Sequence, residues 1–178
     1  MLNISTVHTI KNYPELQLFQ LDDSDRVIYK CSDLYHTIKD KKNDTHTTFK
    51  TKDGFQSGNI LHDYAGNDIM LSIVDSMEQK LNAQYNIECN HVCLHMLDYA
   101  SMSEVLWHNH KGTEDMSYIL YLNDTLDGHT LFQFTNKECI NIVPKKGLLA
   151  VFPSHLQHCG ERSVQAKRIL VGALRYKV

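Results

Sequence analysis

The sequence predicts a mainly β protein of the α+β class, built as a sandwich or jelly-roll barrel with a helix laid across one sheet. After residue 88 the chain consists of short segments rich in β-branched and aromatic residues, bounded by turn residues at roughly ten-residue spacing. Before that point one stretch carries apolar residues at helical spacing. The predicted strands cover residues 88–99, 103–110, 117–123, 129–134, 138–144, 148–152, 155–160 and 168–176.

A chain of 178 residues is most simply one domain, long enough to bury a full core without disulfides. Residues 1–87 form an N-terminal extension of hairpin, loop and helix, and residues 88–178 form the β core. We expect residues 15–31 to form the hairpin, with its turn in the acidic segment 22–25.

Two further elements precede the long helix. Residues 32–43 are polar and predict a short helix that runs into a loop. Residues 48–58 predict a strand followed by a turn broken by glycine. We interpret residues 48–58 as a plain connection between elements, in preference to a loop that covers the mouth of a cleft.

The long helix begins after Asn67 or Asp68, either of which can serve as its N-cap. Its apolar residues recur at helical spacing, which predicts a face packed against a sheet. These residues are Ile69, Ile73, Val74, Met77 and Leu81.

The charge, apolar content and cysteines of the chain indicate which partners and which compartment to expect. A formal charge of −3 gives no electrostatic reason to expect a nucleic-acid partner, and neither a signal peptide nor an apolar run of membrane-spanning length is visible. Five irregularly spaced cysteines are typical of free thiols in a reducing compartment. These features predict a cytoplasmic protein without a membrane partner, and a homo-oligomer stays open.

His108 and His110 are the candidate metal ligands. At positions i and i+2 of a strand they point to one face, about 6–7 Å apart, close enough to share a metal ion. A third imidazole or a carboxylate from an adjacent strand would complete the set, and we favour iron. Trp107 points to the opposite face, where we expect it in the core.

A second polar stretch gives a weaker metal signal. Cys89, His91, Cys93 and His95 alternate along one predicted strand, opposite an apolar face. Four ligands in this arrangement span about 20 Å and cannot converge on one tetrahedral ion. We interpret this face as a moderately polar wall.

Several motifs follow one another in consistent order over about residues 90–178. They are Trp107-His108-x-His110, the strand 117–123, the segments 128–132 and 144–154, His158 and Arg168. Together they resemble the 2-oxoglutarate- and Fe(II)-dependent oxygenases of the prolyl-hydroxylase-like group. The resemblance implies a double-stranded β-helix, a cupin-like jelly roll, with iron at its open end.

The resemblance also implies the roles of single residues. It makes His108 the first iron ligand, His158 the distal ligand, and Arg168 the clamp for the far carboxylate of 2-oxoglutarate. The planar fork of arginine suits a carboxylate because it donates two parallel hydrogen bonds. Tyr121 matches a position that bonds the cosubstrate carboxylate in relatives, and Tyr99 is a second such candidate.

One position departs from the pattern. The family usually has Asp or Glu two residues after the first histidine, where this chain has His110, although a little-characterised branch with His-x-His resembles it more closely. We expect His110 to be the ligand, with Glu114 or Asp115 as loop alternatives. In a third frame His110 and Gly112 replace His108 and the acid, which leaves a site open for halide.

The implied reaction is the oxidative decarboxylation of 2-oxoglutarate by O2 to succinate and CO2, coupled to hydroxylation of a C–H bond. The substrate would be a peptide side chain, such as prolyl, or a small molecule. Two rivals remain. One is a cupin-type metalloprotein that uses His108, His110, Glu114 and His158 without 2-oxoglutarate, and the other is a noncatalytic binding barrel.

Overall fold

The computed structural model of the protein describes residues 4–9, 15–21, 26–40, 51–52, 55–99 and 104–177. Helices and strands follow one another along these segments as follows: β1 Ile4–Thr9, β2 Gln17–Leu21, α1 Arg26–Asp40, β3 Thr51–Lys52, β4 Phe55–Gln56, α2 Ile60–Asp63, α3 Asp68–Tyr85, β5 Cys89–Tyr99, β6 Glu104–His108, β7 Met116–Tyr121, β8 Thr130–Gln133, β9 Cys139–Ile142, β10 Leu148–Pro153, β11 Gln157–Gly160 and β12 Lys167–Tyr176.

The strands form two antiparallel sheets. The large sheet has seven strands in the order β1-β2-β10-β7-β12-β5-β4, and the small sheet has five in the order β3-β6-β11-β8-β9. Along β5 to β12 the chain passes repeatedly from one sheet to the other, so that the sheets close on each other as a double-stranded β-helix. This confirms the predicted fold class, and each of the eight predicted core strands has a counterpart.

The central strands of the large sheet are buried on both faces, which creates two cores. Strand β7 shows this best, because all six of its residues are buried. Tyr118 and Leu120 join the core between the sheet and the helices, whereas Ile119 and Tyr121 join the core inside the barrel. The alternation of a strand therefore separates helix packing from the barrel interior.

Helix α3 confirms the predicted long helix. The Asn67 side chain caps it by accepting a 3.0 Å hydrogen bond from the backbone N–H of Met70. The helix ends at Asn86, whose left-handed backbone (φ 52°) suits a C-cap. Ile73 and Met77 of the predicted stripe are completely buried against the sheet. None of the helices in the described segments combines the length and apolarity that crossing a membrane requires.

The predicted hairpin over residues 15–31 is wrong in its second half. Strand β2 forms as expected, but residues 27–29 belong to helix α1, and the predicted turn at 22–25 lies outside the described residues. Three consecutive β-prone residues suggested a strand, yet the apolar residues that follow continue at helical spacing. The buried members of this stripe are Val27, Ile28, Cys31, Leu34, Tyr35 and Ile38.

Two smaller predictions also change. The strand expected over 48–58 occurs as the short β3 and β4, with residues 48–50 and 53–54 outside the described part of the chain. Trp107 does point away from His108, but it is 46% exposed and is not in the core. Its neighbour Leu106 is exposed as well, because a bulge in the β6–β11 pairing interrupts the alternation between Val105 and His108.

Candidate metal centre and adjoining cavity

The structure brings His108, His110 and His158 together at one point. His108 and His158 are direct partners across the β6–β11 pair, so their side chains leave the small sheet on the same face. Their ring centroids are 4.2 Å apart, and His110 lies 4.9 Å from His108 and 5.3 Å from His158. One nitrogen from each ring lies within 4.8 Å of the others, a suitable arrangement for binding one metal ion.

Backbone carbonyls orient two of the rings. Nδ1 of His108 lies 2.8 Å from the carbonyl oxygen of Leu106, and Nδ1 of His158 lies 3.0 Å from that of Leu156. Because a carbonyl oxygen can only accept, Nδ1 carries the hydrogen in both rings. Their Nε2 atoms therefore keep a lone pair for a metal.

The third ring has a different partner. His110 follows β6 in a loop, where its backbone N–H donates to the Ser154 carbonyl at 2.8 Å. Its Nδ1 lies 3.8 Å from Oε2 of Glu114, whose side chain is only 7% exposed. The hydroxyl of Ser117 donates to the other oxygen, Oε1, of the same carboxylate.

Two of the alternatives to His110 as the third ligand position, Asp115 and the frame with Gly112, lie away from the histidines. Asp115 is exposed, and its Oδ2 accepts a 2.9 Å hydrogen bond from the Tyr176 backbone N–H at the end of β12. Gly112 lies in an exposed turn with φ 88°. Neither joins the histidine group, whereas Glu114 lies beside His110. Three imidazoles on one side suit a borderline divalent ion such as Fe(II) and leave its other side open.

A cavity of about 310 Å³ extends from the three histidines into the barrel. Leu97, Ile119 and Ile169 form much of its wall, so it is largely apolar. Tyr99 and Gly160 line it as well. A Cβ atom on Gly160 would meet the Tyr99 hydroxyl at 3.2 Å, so glycine keeps this part of the cavity open.

Lys167 lies beside Tyr99 and Gly160 and is completely buried. Its ammonium group lies 4.3 Å from the centre of the Tyr99 ring and donates a 2.6 Å hydrogen bond to the Gly128 carbonyl. Burial lowers its pKa to about 8. Within the described segments Lys167 has no ion-pair partner. A buried cation of this kind is complementary to the carboxylate of a ligand.

Arg168 is not at this cavity, contrary to its expected role as the carboxylate clamp. Because residues of β12 alternate, Ile169 and Val171 line the cavity while Arg168 faces the helices. Its guanidinium lies 4.5 Å from the Tyr35 ring, and its Nε lies 3.7 Å from Oδ2 of Asp98. Arg168 therefore lies on the helix side of β12, and the neighbouring cation on the barrel side is Lys167.

The two predicted tyrosines both lie inside the barrel. Tyr99 lines the cavity, and Tyr121 is completely buried in the interior core. Burial raises both pKa values, so both hydroxyls keep their protons and can donate. The Tyr121 hydroxyl makes no hydrogen bond of standard geometry among the described residues, although Thr130 is within reach.

Cys93 and His95 were predicted only as part of a polar wall. A bulge in the β5–β12 pairing leaves Val92 unpaired, which puts His91 on the helix side. There His91 bonds Glu78 and Tyr118, each at 2.9 Å. Cys93 and His95 face the barrel, where Sγ lies 2.6 Å from Nε2. Periodicity could not show this division, because a bulge interrupts it.

A second cavity of about 420 Å³ adjoins the metal centre on the side of His110. Its lining includes Val92, Cys93, His95, Glu114, Val171 and Arg175. Burial, followed by the negative charge of Glu114, raises the pKa of the Cys93 thiol to about 12. The thiol therefore stays protonated at neutral pH. The centre thus lies between an apolar interior cavity and a more polar one.

We compared the chain with known protein families, sequences and structures. No family model and no curated protein sequence matches the chain. Among solved structures, a prolyl-4-hydroxylase from Pseudomonas putida superposes with a TM-score of 0.71 at 14% identity, covering 92% of this chain and 94% of its own.

Two further matches belong to the same group. A Trichoplax adhaerens prolyl hydroxylase, solved with a hypoxia inducible factor peptide, gives a TM-score of 0.68 at 13% identity, covering 93% of this chain and 84% of its own. The viral collagen prolyl hydroxylase of Paramecium Bursaria Chlorella virus-1, solved with 2-oxoglutarate, gives 0.65 at 15%, covering 95% and 99%. The chain therefore has the double-stranded β-helix fold of the prolyl-hydroxylase-like 2-oxoglutarate oxygenases, as its motifs predicted.

Proposed function

We propose that the protein is an Fe(II)- and 2-oxoglutarate-dependent dioxygenase that hydroxylates a C–H bond of a peptide side chain, such as prolyl, or of a small molecule. The observation that carries this proposal is one cavity that begins at three converging imidazoles and reaches Tyr99 and Gly160, beside which lies a buried, positively charged lysine. A metal site alone would need the imidazoles but not the lysine. A dicarboxylic cosubstrate that also binds the metal accounts for both.

His108, His110 and His158 would hold the iron through Nε2, each with Nδ1 turned toward an acceptor. When bound, iron and 2-oxoglutarate supply the O2 chemistry, in which one oxygen atom enters succinate, CO2 leaves, and the other oxygen atom enters the substrate. Three protein ligands leave room for a bidentate 2-oxo acid and for O2.

Lys167 would pair with the far carboxylate of 2-oxoglutarate, in place of the Arg168 that the family pattern suggested. Its burial favours this role, because the ammonium group lacks an ion-pair partner within the described segments. The hydroxyls of Tyr99 and Tyr121 are protonated donors in the same region. The apolar wall of Leu97, Ile119 and Ile169 would exclude water from the cosubstrate.

The substrate would enter from the other side of His110, through the cavity of about 420 Å³. That volume accommodates a single side chain or a small molecule, which fits the predicted substrate class. The cytoplasm is the compartment we propose, since none of the five cysteines, all in described segments, forms a disulfide.

A cupin-type metalloprotein without 2-oxoglutarate is the second candidate, because Glu114 lies close to the three histidines. In that arrangement Glu114 would itself bind the metal. However, it lies beside Nδ1 of His110, and this candidate gives no use for Lys167 inside the barrel. We therefore prefer the oxygenase.

The test is an anaerobic titration of the protein with Fe(II) and 2-oxoglutarate, monitored for the visible metal-to-ligand charge-transfer band. We expect the band in the wild type and in a Lys145→Ala control, which changes an exposed lysine. We expect no band in His158→Ala, and in Lys167→Ala only at much higher 2-oxoglutarate concentrations. A wild-type protein that shows no band at saturating reagents would rule out the oxygenase.

A further inference from the structure

We propose that Glu114 is a positioning residue that acts on the metal through His110 and supplies the negative charge that a three-imidazole centre lacks. This inference rests on the proposed metal site but concerns a residue that does not bind the metal itself. It explains how histidine can stand where related sites have a carboxylate ligand.

The three imidazoles are not held alike. His108 and His158 each direct Nδ1 at a neutral backbone carbonyl. Nδ1 of His110 instead lies beside a carboxylate, at an ion-pair distance of 3.8 Å from Oε2 of Glu114. The histidine that stands where the family usually has a carboxylate ligand is thus the one with a carboxylate beside its far nitrogen, Nδ1.

Local structure holds this pair in place. A turn links the two residues, because the Thr113 backbone N–H and hydroxyl both donate to the His110 carbonyl, at 3.0 and 2.7 Å. Arg175 ties the same turn to β12 by donating to the Thr113 carbonyl at 2.8 Å. Ser117 fixes the second oxygen of Glu114. The carboxylate is therefore oriented by its surroundings and does not lie on a mobile surface.

The position of Glu114 matters because its charge adds to the total charge of the metal centre. A divalent ion held by three neutral imidazoles keeps two positive charges, whereas a ligating carboxylate would leave one. Glu114 is 7% exposed, so its negative charge acts on the centre with little screening by water. A carboxylate close to the far nitrogen of a ligating histidine also makes that ligand more basic. The centre would then resemble a two-histidine, one-carboxylate site in total charge.

Metal affinity tests this inference without any turnover. The affinities of the purified full chain for Zn(II) and Co(II) are measured by competition with a chromophoric chelator. Glu114→Gln keeps the size of the side chain and an acceptor for Ser117 but removes the charge. We expect it to bind both ions about 10- to 100-fold more weakly than the wild type. The visible spectrum of bound Co(II) should keep its intensity, because the ligands are unchanged.

Glu161→Gln is the matched control. Glu161 also lies beside a histidine, with 3.2 Å between its Oε2 and Nδ1 of His129, but it is 42% exposed and belongs to no metal-ligand group found among the described residues. We expect unchanged metal affinity in this variant. Thermal unfolding of the metal-free variants, compared with wild type, separates lost affinity from lost folding.

Two results would overturn the inference. In the first, Glu114→Gln binds both ions as tightly as the wild type. In the second, Glu114→Gln changes the Co(II) coordination spectrum while His110→Ala binds like the wild type, which would make Glu114 the ligand. A wild-type protein that binds neither ion would instead refute the proposed metal site, and the inference would fall with it.

Discussion

The two ends of the interior cavity are built by different means. At the mouth, three imidazoles from β6, the loop after it and β11 converge, and small polar contacts orient each ring. At the other end, behind Tyr99 and Gly160 of the cavity wall, lies the buried ammonium group of Lys167. The first end depends on the geometry of several groups, and the second depends on the charge of one buried ammonium group. Substitutions at the first end should therefore change metal affinity, and substitutions at the second should change the affinity for 2-oxoglutarate.

The largest effect is expected at the mouth. His158→Ala removes a proposed metal ligand and should reduce metal affinity by more than the roughly 10- to 100-fold that changes next to a ligand cause. His110→Asp should keep the metal, since aspartate can occupy the position that His110 holds. Bound metal after chelator competition measures both, with His155→Ala as the exposed control. Loss of metal in His110→Asp would favour a loop carboxylate as the third ligand.

The next effect is expected at the lysine end. Lys167→Ala should keep the metal but weaken 2-oxoglutarate binding by about 2–5 kcal/mol, because the buried far carboxylate loses its counter-charge. Calorimetry on the Zn(II)-loaded protein measures this affinity without turnover. Equal 2-oxoglutarate affinity in wild type and Lys167→Ala would contradict the comparison of the two ends.

The acidity of Lys167 gives a further, smaller effect. Its pKa in the folded protein is lowered to about 8, so above that pH the lysine must take up a proton before it can pair with a carboxylate. The affinity for 2-oxoglutarate should fall by about tenfold for each pH unit above 8. Lys167→Arg should remove this slope between pH 8 and about pH 10, because arginine stays charged.

The same lowered pKa affects stability. Between pH 8 and 10.5 the unfolded chain keeps a proton that the folded protein has released. The contribution of Lys167 to the free energy of unfolding of the ligand-free protein should therefore increase with pH across this window. Denaturant unfolding of wild type and Lys167→Arg isolates this contribution. A slope that is identical in both proteins would assign the pH dependence to other groups.

The smallest effect on ligand binding is expected for Arg168→Ala. Since Arg168 lies on the helix side of β12, 2-oxoglutarate affinity should stay near the wild-type value. The free energy of unfolding should fall by about 1–3 kcal/mol, because the buried carboxylate of Asp98 loses a cationic neighbour. Calorimetry and denaturant unfolding measure the two quantities. A loss of 2-oxoglutarate affinity larger than that of Lys167→Ala would restore Arg168 as the clamp.

The candidate metal centre could be predicted from the sequence because short patterns determine it. His108 and His110 are two residues apart, and His158 lies in an ordered series of motifs. Which cation lies at the other end of the cavity depends on which residues of β12 face the barrel. Lys167 and Arg168 are adjacent cations on one strand, and only their phase relative to the cavity decides which one faces inward. The family pattern favoured arginine, whereas the alternation of β12 puts Lys167 on the same face of the strand as Ile169 and Val171, which line the cavity.

Other parts of the fold show the same limit. The eight core strands follow from alternation and turns, but the bulge that separates His91 from Cys93 cannot be derived from period-two patterns. The predicted helix over residues 32–43 coincides with the second part of α1, up to Asp40. The first part of α1 was missed because three β-prone residues at its start were given more weight than the longer apolar stripe. The exposure of Trp107 depends on what covers the small sheet, which local sequence does not report.

The most direct test of the central claim is whether the two ends bind one molecule. Calorimetric titration of 2-oxoglutarate into metal-free and Zn(II)-loaded wild type should show tight binding only with the metal, and that gain should be lost in His158→Ala. Succinate, which lacks the 2-oxo group, should bind weakly and with little dependence on Zn(II). If 2-oxoglutarate binds equally well with and without the metal, the imidazoles and Lys167 do not form one cosubstrate site.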